Sequence, residues 1–336
     1  MTFAILIPIY NRLAVTRQGL LSLYEALDRY KRSGSNTCRF EVVVIDDGST
    51  DGSSPWITAN YPDIHLLHGD GNLWWSGAIN KGADYAIDQL KADYLLLWND
   101  DILPATDYFL VAERLFADSG LQETIIGTKI LVKEIRDKVW SIGGFFDRLS
   151  GRYGLYTETG AGRTGTAQSD AGNGQGAGVG DSQSRFFDCD WQPGMGTFVP
   201  TRLMRQHQLR WDDAIFPQYH GDSDFTMRCK KKGIPVKTCL DLVLYNSSST
   251  SGLGKITDLR KLRLSLVSLR SNYNVRKRFL FYNRHGIVPF SYLGIGKTYF
   301  FFFGSFVKRN YLKRPSKQQQ AELAAADAPQ TLNQSL

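Results

Sequence analysis

The sequence predicts an α/β fold: a mostly parallel central sheet flanked by helices, followed by a basic, helical C-terminal extension. Two observations predict the sheet. Short β-branched runs alternate with helical patterns through the first hundred residues, the arrangement that gives parallel strands with helices on both faces. Each of the first four strand candidates also ends in ligand-type polar residues, and parallel sheets bind ligands off the carboxyl ends of their strands. The extension rests on charge. Residues 1–254 carry 25 basic and 30 acidic side chains, whereas 255–314 carry 14 basic and one acidic, so the basic excess of the whole chain belongs to one segment.

Ala4 to Ile9 (AILIPI) reads as a buried strand that exits into Tyr10-Asn11-Arg12. A helix over about Ala14 to Tyr30 follows, with Leu20, Leu21, Tyr24 and Leu27 on one stripe. Glu41 to Ile45 is the second strand, ending in Asp46-Asp47-Gly48-Ser49, and His65 to His68 a short third, ending in Asp70-Gly71-Asn72. Ser76 to Leu90 reads as a helix, and Tyr94 to Trp98 as a fourth strand ending in Asn99-Asp100-Asp101. Further strands are expected over Ile125 to Leu131 and Val139 to Gly143. A helix is expected over Asp222 to Lys232, whose final lysines suit the negative end of the helix dipole.

One α/β domain is expected over 1–250. It is interrupted at 151–185 by a flexible insertion, since 151–181 holds ten glycines and almost no large apolar residue after Tyr156. Residues 251–314 form the extension, and 315–336 read as a disordered tail. The four cysteines lack CxxC spacing, which argues against a zinc site and a disulfide framework and for a reducing compartment. The apolar run near the N-terminus is too short for a signal peptide and reads as the first strand. A cytoplasmic protein is expected. Its extension contains GIVPFSYLGIGKTYFFFFGSFVKR, an aromatic stretch broken by Pro, Gly and Lys that suits an interfacial helix pair on an anionic membrane surface better than a span. No nucleic-acid partner is expected.

Asp100 and Asp101 end the apolar run YLLLW. Adjacent carboxylates repel and are costly to desolvate, so they need a cation, hydrogen-bond donors or open water. Asp222 and Asp224 open a helix, with Arg228 one turn beyond Asp224. In GNLWWSGAINKG, two glycines allow close backbone approach to a ligand and Asn72 and Asn80 supply amide donors. Trp74 and Trp75 point to opposite sides if that chain is extended, so one of them is expected on a ligand and the other in the core. The five histidines show no metal-ligand spacing; His220, beside the acidic helix, is the one to mutate.

The order IPIYN, VVVIDDGSTD, GNLWWSGAINKG, LLLWNDD and FPQYHGDSDFTMRCKKKG resembles the family 2 glycosyltransferases of GT-A fold, over roughly residues 1–250. The resemblance implies an inverting transfer from a nucleotide-sugar donor to a hydroxyl of a glycan acceptor, expected to be lipid-linked, in bacterial surface-polysaccharide synthesis. It implies that Tyr10 and Asp47 contact the base, that Asn99 and Asp100 approach the ribose, and that Asp101 binds a divalent cation, Mg²⁺ or Mn²⁺, suited to hard oxygen ligands. Asp222 aligns with the general base and Asp224 with a supporting position. The sequence departs from the pattern twice, with Asn99 at the first position of the DxD triplet and Gly221 where a Glu usually precedes the base. Those departures motivate a second reading, a degenerate protein that only binds nucleotide or glycan. A sugar nucleotidyltransferase is disfavoured because IPIYNRLAV lacks the glycine-rich loop that class needs.

Overall fold

The computed structural model describes residues 1–34, 37–117, 119–135, 137–157, 185–246, 256, 258–308 and 310. Most of the expected insertion and the expected disordered tail lie outside the described residues. Strand β1 (Thr2–Ile9), helix α1 (Leu13–Arg32), strand β2 (Arg39–Asp46), helix α2 (Ser53–Asn60), strand β3 (His65–His68), helix α3 (Trp74–Asp88) and strand β4 (Tyr94–Leu97) make the alternating first part. Then follow β5 (Ile102–Pro104), α4 (Tyr108–Phe116), β6 (Ile125–Val132), β7 (Val139–Ser141), β8 (Gly144–Phe146), β9 (Tyr153–Leu155), β10 (Phe186–Asp188) and β11 (Thr197–Pro200). Helices α5 (Thr201–His207) and α6 (Gly221–Lys231) precede strand β12 (Val236–Asn246), and α7 (Leu259–Val267), α8 (Val275–His285) and α9 (Tyr292–Val307) complete the described chain.

Strands β3, β2, β1 and β4 lie side by side and parallel, as the alternation predicts. Strand β11 inserts antiparallel between β4 and β6, and β6 pairs parallel with β12. The short strands β5, β7 and β10 add antiparallel pairs at the far side. Both faces of the parallel part are covered. Along β1, Phe3, Ile5, Ile7 and Ile9 join the core under α1 and α4, while Ala4 and Leu6 join the core under α3 and α6. Burial on both faces is why the strand reads as an unbroken apolar run instead of alternating.

A third core lies under the extension. Phe146, Trp191, Phe216 and Met227 of the first 250 residues pack with Phe281, Tyr282 and Ile295 of α8 and α9. Tyr153, which its composition had assigned to a flexible insertion, sits in strand β9 of the β8–β9 hairpin and stacks on Trp191. A fully buried large apolar side chain contributes roughly 1.5–3 kcal/mol. The three buried extension residues together thus weigh against a whole-domain stability of about 5–15 kcal/mol. The extension is an integral part of the fold.

Candidate active site

The carboxyl ends of the parallel strands converge as the sequence predicts, and long-range hydrogen bonds lock the loops together. Asn11, at the exit of β1, takes an N–H bond from Thr50 on its Oδ1 (2.8 Å) and gives its own N–H to Ser49 Oγ (2.8 Å), joining the first two exits. Tyr10 beside it is exposed. The third exit is held by Asp47, whose Oδ1 accepts the N–H groups of Gly71 (2.9 Å) and Leu73 (3.2 Å) and whose Oδ2 accepts that of Trp74 (2.9 Å). A carboxylate at those first amides satisfies donors that the helix itself leaves free and meets the positive end of its dipole. This starts α3 at Trp74, two residues before the expected Ser76. Trp74 and Trp75 therefore open a helix instead of lying in an extended segment.

Trp75 joins two regions that lie far apart in sequence. Its Nε1–H donates to Asn99 Oδ1 (3.3 Å), and its ring lies against Gly194, where an added Cβ would meet it at 2.2 Å. The Gly194 N–H donates to Asp222 Oδ2 (3.0 Å), and Ser223 N–H donates to Asp222 Oδ1 (2.7 Å). The chain Asn99, Trp75, Gly194, Asp222 thus runs from the exit of β4 to the start of α6. The same helix start grips the loop before α6: Ser76 gives its N–H to the Pro217 carbonyl (2.8 Å) and its hydroxyl to the Phe216 carbonyl (2.6 Å). Gly221 follows from this contact, because a Cβ there would lie 2.2 Å from Ser76 Oγ. Trp74 (φ 55) and His220 (φ 66), at the two helix starts, both hold the left-handed backbone that bulky residues rarely adopt.

The expected repulsion between Asp100 and Asp101 is relieved by an arginine. Arg12 Nη1 pairs with Asp100 Oδ1 (2.9 Å) and Nη2 with Asp101 Oδ2 (2.9 Å). Asp100 is buried and also accepts from the Thr16 hydroxyl (2.9 Å). Burial pushes its carboxyl up to about 6, with Arg12 pulling it down and Asp101 pushing it further up. Across the site, burial raises the Asp222 carboxyl above the ordinary range although the Ser223 and Gly194 amides favour its charged form.

Residues 4–125 match the family described as Glycosyl transferase family 2. Over that segment the chain is similar to the family 2 glycosyltransferases. Over 94 residues it is 28% identical to the low-salt glycan biosynthesis hexosyltransferase Agl10 of Haloferax volcanii; the match spans 24% of this chain and 30% of that relative. The mannosyltransferase PcManGT of Pyrobaculum calidifontis, solved with GDP-Man and Mn²⁺, covers 96% of this chain and 79% of its own at 16% identity, with a TM-score of 0.50. The likeness is one of fold, GT-A. TarS of S. aureus, solved with UDP, is 17% identical over 74% of this chain and 61% of its own, with a TM-score of 0.44.

Several residues expected at the site have other tasks. Asp47 is buried and spends both oxygens on backbone amides, so the N–H groups it accepts are the protein's own and not a base's. Asp100, enclosed between Arg12 and Thr16, is not free to reach a ribose. Asn80 binds the backbone of Trp211 with both ends of its amide, Nδ2 to the carbonyl (2.9 Å) and Oδ1 from the N–H (3.0 Å), and so clasps α3 to the loop before α6. Asp224 is fully buried by Arg228, Arg284 and His285 and cannot meet a sugar. His220 is buried in aromatic rings, stacked on Phe281 at 4.7 Å, and burial drives its imidazole down to about 3. It is neutral near pH 7 and offers neither acid nor base there.

Asn72, Asn99 and Asp101 keep surface or partial surface, as do the two tryptophans. Trp74 carries the Arg270 guanidinium 5.9 Å above its ring, a contact from the extension that its sequence position does not suggest. Among the described residues no group of three or more His, Cys, Asp or Glu side chains is placed to hold a metal ion. The donor set nevertheless fits one narrow role. Asp101 commits Oδ2 to Arg12, and no described group engages Oδ1. Mg²⁺ in nucleotide sites is commonly held by one or two carboxylates with substrate phosphates completing its shell. Asp101 suits a cation that arrives with a diphosphate.

Proposed function

We propose that this chain is an inverting, metal-dependent glycosyltransferase that moves a hexose from a nucleotide-sugar donor to a hydroxyl of a lipid-linked glycan acceptor in bacterial surface-polysaccharide synthesis. The observation that carries the reading is the chain of contacts from Asn99 through Trp75 and Gly194 to Asp222, hydrogen bonds at its two ends and ring packing between, which ties a half-buried carboxylate of raised basicity to the strand exit bearing Asp101. On this reading the base lies on Tyr10, Asn99 approaches the ribose, and Asn72 faces the sugar. The acceptor hydroxyl gives its proton to Asp222 while its oxygen bonds to the anomeric carbon, and the bond from that carbon to the diphosphate oxygen breaks with its electrons. Asp101 would hold a Mg²⁺ or Mn²⁺ ion, which when bound would supply charge neutralisation for the departing diphosphate. The fold shared with a transferase solved with GDP-Man and Mn²⁺ agrees with such a donor and ion. The binding-only reading loses one of its motives, since packing against Ser76 accounts for Gly221.

Isothermal titration with nucleoside diphosphates tests the donor side. Wild-type protein is expected to gain affinity with Mn²⁺, Asp101→Ala to lose that gain, and Asn99→Asp to keep or strengthen it. An Mn²⁺ effect that persists in Asp101→Ala contradicts the assigned ligand. A wild type without any Mn²⁺ effect contradicts the metal-dependent mechanism.

The acceptor reading rests on the extension. No helix among the described residues is long and apolar enough to cross a membrane, and the expected helix pair is the single helix α9 after a turn at 287–291. Helix α9 buries Ile295, Phe302 and Phe306 and turns Leu293, Phe300 and Phe301 outward, the last two 74% and 57% exposed, with Lys297 and Lys308 on the exposed surface. Ile287, Val288 and Phe290 of the preceding turn are exposed as well. Apolar side chains among cations fit an anionic membrane surface, here the cytoplasmic face, where each Lys or Arg contributes about 1 kcal/mol. Sedimentation with anionic vesicles at low salt is expected for wild type, and the paired change Phe300→Ser and Phe301→Ser is expected to weaken it about tenfold, roughly the free energy of one exposed phenylalanine. Equal binding of that variant, or none by wild type, contradicts the membrane assignment.

A further inference from the structure

The last turn of α8 enters the catalytic domain at Asp224, two residues from the proposed base. Asp224 Oδ1 pairs with Arg284 Nη1 (3.0 Å) and accepts from His285 Nε2 (2.8 Å), while its Oδ2 takes Arg228 Nε (2.8 Å). Both Asp224 and His285 are fully enclosed. Burial holds the imidazole below its ordinary value although Asp224 pulls the other way, so His285 is neutral near pH 7. A carboxylate can only accept, so the proton of the ring sits on Nε2.

Arg284 does more than neutralise Asp224. Its Nη2 pairs with Asp212 (2.8 Å), its guanidinium lies 5.1 Å from the ring centre of Phe216, and its carbonyl accepts from Lys231 Nζ (2.7 Å) at the other end of α6. Lys277, two turns earlier on α8, donates to the Ile215 carbonyl (2.5 Å). These contacts hold α6 at both ends together with the 212–216 loop, and that loop also carries the carbonyl that receives Ser76 of α3. The backbone of Asp222 thus has two supports. One is α3 through Gly194 and Ser76, and the other is α8 through Asp224.

We infer that Arg284 and His285 are positioning residues for the transfer step: through Asp224 they fix the first turn of α6 and with it the direction of the Asp222 carboxylate. The inference rests on the proposed role of Asp222. It gives the basic extension a part in the chemistry that its charge alone does not suggest, as the wall that sets the base. A carboxylate displaced by about 1 Å from its productive geometry can lose roughly 10²-fold in rate, whereas the donor, held at the strand exits, is not touched by these two residues.

The test compares His285→Ala with His285→Gln in the full chain, because the Gln amide can return an N–H donor near the place of Nε2. His285→Ala is expected to lower kcat by roughly 10²-fold with the donor KM nearly unchanged, and His285→Gln to recover most of the loss. Amide hydrogen exchange supplies a readout independent of turnover. Protection over 221–226 should fall in His285→Ala and return in His285→Gln, while 76–86 in α3 stays protected in both. If His285→Ala does not fold, Arg284→Gln takes its place with the same two readouts. The inference is overturned if the folded variants keep wild-type kcat, if kcat falls only in proportion to the unfolded fraction, or if protection over 221–226 is unaltered. A failure of the base assignment is seen separately, as an Asp222→Asn protein that still turns over while the exchange result stands.

Discussion

Asp222→Asn is expected to lower the rate of sugar transfer by about 10²- to 10⁴-fold, the usual contribution of a general base, with donor affinity nearly unchanged. The substitution keeps size and shape and removes basicity. It also removes one acceptor: the two Asp222 oxygens receive the Gly194 and Ser223 N–H groups, and an amide oxygen serves only one. The loss of one such bond is worth about 1 kcal/mol, small enough that a thermal melt separates it from the kinetic effect. The pH profile follows from the same carboxylate. Its protonated form cannot take the acceptor proton, and burial lifts its pKa above the ordinary aspartate range, so wild-type activity should fall as pH drops through that raised value. Near-normal turnover by Asp222→Asn with a working acceptor removes the assignment.

Asp224→Ala is expected to destabilise the fold by about 3–5 kcal/mol, the range for removing one partner of a buried ion pair. The change leaves two guanidinium groups and a buried imidazole facing one another. Arg228 and Arg284 are each 26% exposed, so water reaches them and the lower part of the range applies. The pH dependence has a definite sign. Burial pushes the Asp224 carboxyl up, but the His285 hydrogen bond and Arg228 more than offset this and hold it below its ordinary value. A depressed carboxylate gives stability that is complete above the unfolded pKa of about 3.9 and is lost as pH falls through the native value. Chemical denaturation of wild type and Asp224→Ala should therefore differ most above about pH 5 and converge in acid. Equal stability at neutral pH would contradict the account of α6 and α8.

Much of the fold was legible because the residues that form the parallel strands are apolar on both faces and end abruptly in polar groups. The four strand exits, the acidic start of α6 and the Asp224–Arg228 pair follow from local pattern alone. What the sequence concealed is non-local. The start of α3 is set by Asp47, 27 residues before Trp74, so no cap signal is visible beside the helix. Arg12 lies 89 residues from Asp101, and nothing in YNR distinguishes a cation for the aspartate pair from a solvated arginine. Gly221 looked like a lost functional residue until its contact with Ser76 gave it a packing cause. The aromatic run of the extension carried two messages at once, an inner face packed on the third core and an outer face left exposed; composition alone reads only the sum.

The proposed transferase activity is tested most directly by a screen of purified protein with Mn²⁺ against UDP-, GDP- and dTDP-hexoses, scored by release of the nucleoside diphosphate. It predicts that a nucleotide sugar is consumed by the wild type and that an added glycan acceptor accelerates its consumption. Wild-type protein that binds nucleoside diphosphates yet consumes no nucleotide sugar, with or without acceptor, would contradict it and leave the binding-only reading.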